Sequence, residues 1–61
     1  MLKKDYILIA NALASVKPSD PTDYHRNTQW ENDVTVITKA LERDNGRFDR
    51  ARFMTACGLD N

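Results

Sequence analysis

Trp30, Val34, Ile37 and Leu41 follow one another at intervals of 4, 3 and 4 residues. That spacing returns side chains to one face of an α-helix and defines an apolar stripe across the middle of the chain. A helix with a tryptophan on its stripe needs other elements to cover it, and only 61 residues are present to supply them. Val34, Thr35, Val36 and Ile37 are β-branched and also suit a strand. The flanking helix formers and a start signal decide for a helix over about residues 28–44, with Ala40 beside the stripe.

Two starts compete. Asp20-Pro21-Thr22-Asp23 offers a capping carboxylate, proline at the first helical position and a first-turn acid. Thr28-Gln29-Trp30-Glu31 fits a capping box, in which Thr28 and Glu31 satisfy each other's backbone donors. Tyr24 to Thr28 is polar, so the later start is favoured. Asp44-Asn45-Gly46 closes the helix, with Asn45 or Gly46 suited to a left-handed C-cap.

The segments on either side read as helices too. Tyr6, Ile9, Ala10, Leu13 and Val16 recur at spacings of three and four, which predicts a helix over about residues 3–16. It must stop before Pro18, because the residue preceding proline is steered out of the helical region. Ile7 and Leu8 fall beside its stripe. At the other end, Asp49 caps a helix over about residues 49–57. Phe48 and Phe53 occupy the two positions of a hydrophobic staple. Gly58 sits where a left-handed C-cap is wanted, and Leu59 can contact Met54 as in a Schellman motif. The expected fold is all-α: a small three-helix bundle around Trp30, one domain spanning residues 1–61.

Several function classes are excluded or weakened. One cysteine, Cys57, cannot form an intramolecular disulfide. One Cys and one His fall short of a structural zinc site, which wants four N/S ligands, so no metal or cofactor is expected. No apolar run approaches the roughly 20 residues of a membrane span. A lone thiol suits a reducing cytoplasm. Catalysis wants a water-excluding pocket of roughly 300 Å³ or more, which a chain this short can hardly spare. His25 and Cys57 are the conceivable base and nucleophile. They read more simply as a solvated loop histidine and a small core residue at a helix end, where the dipole disfavours a thiolate. No catalytic residue is assigned.

Two binding surfaces remain. Ile7 and Leu8 on the first helix, with Asp20, Asp23, Tyr24 and His25 in the connector, form a candidate contact patch for a partner protein or a second copy of the chain. Alternatively, Arg47, Arg50 and Arg52 form a nucleic-acid site, with the last helix inserted in a groove. Lys and Arg total 9 against 9 Asp and Glu, and phosphate binding is usually carried by a clearly basic face. The protein-binding reading leads.

The chain ends also resemble a known group. Lys3-Lys4-Asp5-Tyr6-x-x-Ile9-Ala10 at the start and Asn45-Gly46-Arg47-Phe48-Asp49-x-x-Arg52-Phe53-x-x-Ala56-Cys57-Gly58 at the end resemble very short proteins of phages, prophages and plasmids. Those proteins carry proline where Gly46 stands, so the turn here should be looser but preserved. The resemblance implies an accessory protein of a mobile element in a bacterial host. By analogy, such a protein inhibits or regulates a host component, including defence machinery. It transfers no functional residues.

Overall fold

Each helix begins where a side chain can satisfy backbone amides that have no helical partner. The computed structural model describes residues 2–59. Three helices follow one another: α1 (Lys3–Ser15), α2 (Tyr24–Asp44) and α3 (Arg50–Cys57), with no strand among the described residues. The Asp5 carboxylate reaches back to accept from the Leu2 amide at 2.9 Å, which anchors the start of α1. The Asp49 carboxylate accepts from the Arg52 amide at 3.0 Å and caps α3.

The start of α2 corrects the later expectation. Asp23 is the cap, accepting from the Arg26 amide at 3.2 Å, and Thr28 lies inside the helix. The connector ahead of it closes on itself. The Asp20 carboxylate accepts from the Thr22 hydroxyl at 2.7 Å and the Thr22 amide at 2.9 Å, and the Asp23 amide donates to the Asp20 carbonyl. The Asn27 side-chain amide donates to the Asp20 and Asp23 carbonyls, both at 2.8 Å. These bonds hold a polar first turn that needs no apolar face of its own.

Contacts between helix ends set the topology. Trp30 reaches Leu13, and Asn45 reaches Tyr6, so α1 and α2 are antiparallel. Lys17 donates to the Gly58 carbonyl at 2.6 Å, which brings the end of α3 back to the end of α1. The bundle therefore runs up, down, up. α3 packs most closely on α1 and also along α2, while α1 and α2 approach each other less closely. Small Ala10, buried on α1, suits close approach; bulky Trp30 holds its neighbours apart.

The core comprises Ala10, Trp30, Val34, Phe53 and Cys57, flanked by Tyr6, Ile9, Leu13, Ile37, Leu41, Phe48, Met54 and Leu59. Val16 of the first stripe and Ala40 beside the second are not in the core. Val16 is the C-cap of α1 and is 67% exposed, because the chain leaves the helix before that side chain can turn inward. Ala40 is exposed, and Thr38 is buried in its place. Thr38 continues the four-residue ladder Trp30–Val34–Thr38, and its hydroxyl donates to the Val34 carbonyl at 2.7 Å. A buried hydroxyl satisfied by the preceding turn carries little desolvation cost.

Helix ends split the two glycines. Gly58 is left-handed (φ 94°), with Gly58 N–H donating to Thr55 and Leu59 N–H to Met54, the Schellman pattern. Neither Asn45 nor Gly46 adopts that conformation. Asn45 is extended instead, its side chain accepts from the Arg47 amide at 3.1 Å, and its carbonyl accepts from the Phe48 amide at 3.0 Å. The turn closes through these bonds, so no positive φ is needed.

Three expectations follow for stability. Trp30→Ala removes the largest core side chain and should cost about 3–5 kcal/mol, enough to abolish cooperative thermal melting by circular dichroism. Gly46→Pro should stabilise by about 0.4–1 kcal/mol, because residue 46 follows an extended residue and a Cβ there meets nothing within 4 Å. Gly58→Ala should cost about 1–2 kcal/mol in the same melting assay, since its φ disfavours any Cβ. An equal response at the two glycines would contradict this assignment of the turns.

Candidate functional site

Aromatic side chains close the end of the bundle opposite Trp30. Phe48, just before the α3 cap, packs on Phe53 one turn into the helix (centroids 5.3 Å apart), forming the staple. Phe48 also packs on Tyr6 of α1 at 4.8 Å. The Asn45 side-chain amide donates to the Tyr6 hydroxyl at 3.3 Å. This cluster fastens the turn before α3 to the first turns of α1.

The cluster lines a groove of about 640 Å³ that is partly open to solvent. Tyr6, Ile7 and Ala10 of α1 form one wall. Phe48, Phe53 and Ala56 form the other, and Lys3, Arg47, Arg52 and Asp49 stand around it. Its volume exceeds the roughly 300 Å³ that a chain of this length was not expected to spare.

Positive charge gathers here. Three cations face one acid, and the Asp49 carboxylate already accepts from the Arg52 amide. Among the described residues, the ion pairs are Arg26 with Asp23 at 3.4 Å and Arg50 with Glu42 at 4.0 Å. Lys3, Arg47 and Arg52 belong to neither.

The candidate contact patch divides. Ile7 lines the groove and is 48% exposed, whereas Leu8, about 100° further round α1, is exposed outside it. Asp20, Asp23, Tyr24 and His25 lie at the connector end. The rings of Tyr24 and His25 meet edge to face at 6.0 Å. From Tyr24 to Asn45, which bonds Tyr6, α2 rises about 30 Å, so these residues and Ile7 do not share a surface. Asp20 and Asp23 have structural tasks, as turn acceptor and helix cap. Donation from the Thr22 hydroxyl, and then from its amide, holds the Asp20 carboxyl below its ordinary pKa.

The arginine trio divides as well. Arg47 and Arg52 border the groove, while Arg50 faces Glu42 on α2. His25 is exposed on the first turn of α2, and Cys57 is wholly buried in α3. No group of three or more His, Cys, Asp or Glu among the described residues is placed to hold a metal ion. No helix among them is long and apolar enough to cross a membrane.

The chain matches no protein-family model, no curated protein and no solved structure. Geometry therefore carries the functional argument. Sequence reasoning missed Lys3 and Tyr6 as members of the site, because their neighbours lie some forty residues away along the chain. The staple at Phe48 and Phe53 was a local signal that these positions are clamped.

Burial pushes the Cys57 thiol above its ordinary pKa, and the thiolate is the reactive form. Alkylation by iodoacetamide at pH 8 should therefore be slow in the folded chain. It should accelerate at least tenfold in denaturant. Equal rates in the two states would show that Cys57 is accessible.

Proposed function

We propose that the chain is a non-enzymatic protein-interaction module and that the groove between α1 and α3 is its contact surface. The observation that carries this reading is Ile7: an aliphatic side chain left 48% exposed on the wall of an apolar crevice. Fully buried interface centres are apolar, with polar groups at the rim, and the groove has that arrangement. A chain of 61 residues has little apolar surface to spare from its own core, so covering such a crevice in a complex is economical.

The resemblance of the two chain ends to short phage, prophage and plasmid proteins supports the wider setting. In that setting the module belongs to a mobile element, works in a bacterial cytoplasm, and inhibits or regulates a host component. The groove supports contact with a protein; the resemblance alone supports the host. The nucleic-acid alternative has less support, because Arg50 turns to Glu42 and leaves the arginines without a common row.

Two substitutions on one helix test the surface. Ile7→Glu places a charge in the groove, and Leu8→Glu places one outside it. Both positions are exposed, so circular dichroism should show folded chains. Proteins retained from a bacterial lysate by the immobilised chain should be lost with Ile7→Glu and kept with Leu8→Glu. Identical retention by all three chains would sink the proposal, as would retention of no protein at all.

A further inference from the structure

Resting on that reading of the groove, we infer that its occupant is an acidic amphipathic helix of a partner protein. Its apolar side chains would lie between α1 and α3, and its carboxylates would meet Lys3, Arg47 and Arg52.

The backbone limits what can dock. Every described element is a helix or a turn, so there is no strand edge to which an extended peptide could be added. The walls are two helices running in the same direction. The shorter, α3, has eight residues and so a length of about 12 Å. That length holds about two turns of a docked helix, which presents anchors at i and i+3 or i+4 to one side. Ile7 on α1 and Ala56 on α3 are exposed on the two walls, where an incoming leucine or phenylalanine can rest.

Charge selects the sign of the occupant. Lys3, Arg47 and Arg52 outnumber Asp49 at the groove, a local net charge of +2, and Asp49 is engaged as the helix cap. The three cations line the groove together with its apolar side chains. A carboxylate at the flank of an amphipathic helix meets such a cation while its apolar face is buried, and electrostatic complementarity of this kind sets specificity and association rate.

A nucleic acid strand fits less well. Binding a single strand relies on open aromatic faces for base stacking. Phe53 is only 4% exposed, and Phe48 is packed against both Tyr6 and Phe53.

A displayed library of random 16-residue peptides, selected on the full chain, tests the inference. The selected peptides should place Asp or Glu beside apolar residues spaced three or four apart. Their affinity, measured by fluorescence anisotropy, should fall at least tenfold for the Arg47→Glu/Arg52→Glu chain and stay unchanged for Leu8→Glu. Glutamate at position 52 lies three residues after the Asp49 cap, where an acid is favoured, so the double variant should fold. Peptides selected on that variant should switch to Lys and Arg. Neutral or basic binders that still depend on Ile7 would overturn the acidic occupant and leave the groove as a contact surface. Binders indifferent to Ile7→Glu would overturn both. A labelled oligothymidylate that binds and is released by the double substitution would place phosphates there instead. A dimer seen by sedimentation and dissolved by Ile7→Glu would make a second copy the occupant. Either result would overturn the inference.

Discussion

The indole N–H of Trp30 donates to the Leu13 carbonyl at 2.9 Å, and much of the bundle depends on that bond. Leu13 lies in the last turn of α1, where carbonyls lose their helical partners. The carbonyl also accepts from the Val16 amide at 3.3 Å, so the indole takes its second acceptor site and ties α2 to the end of α1. Lys17 then adds the third helix. Its ammonium lies 5.4 Å from the centre of the Trp30 ring and donates to the Gly58 carbonyl at the end of α3. A cation over an indole face is attracted to it, so all three helices are joined at one side chain. In a chain without a disulfide, this convergence substitutes for a covalent staple.

Clamping one end at Trp30 gives the other end its form. There the aromatic cluster of Tyr6, Phe48 and Phe53 holds the turn before α3 against α1. Between the clamps, α1 and α3 run side by side in the same direction. Ile7 faces the crevice between them and stays 48% exposed, because neither fastening brings a side chain over it.

Local chemistry was legible in the sequence; meetings between distant residues were not. The α3 cap, the staple and the Schellman ending each involve residues within six positions, and all three formed as read. The polar stretch Tyr24 to Thr28 reads as a connector, yet α2 starts at Tyr24. Asn27, bonding two carbonyls of the preceding turn, holds that stretch helical without apolar help. Thr38 was overlooked because it is polar, although the spacing from Trp30 and Val34 pointed to it. Lys3 could not be paired with Arg47 from spacing alone. That juxtaposition depends on the path of the whole chain.

A formal net charge of zero is a sum over a molecule 35 Å long, and the sum conceals a separation. At the connector end, Lys17 and Arg26 face Asp20, Asp23, Glu31 and Asp33, a net of −2. From the chain start and the second half of α2 through α3, Lys3, Lys4, Lys39, Arg43, Arg47, Arg50 and Arg52 face Asp5, Glu42, Asp44 and Asp49, a net of +3. Charges in water are screened beyond about 8 Å at physiological salt, so a partner at one end does not feel the other. Neutrality of the whole chain therefore does not argue against a cationic site. What argues against nucleic acid is geometry: one arginine turned to an acid, and aromatic rings packed against each other. The same geometry, with an apolar wall between cations that join no ion pair among the described residues, suits a ligand that brings carboxylates and hydrophobic side chains together.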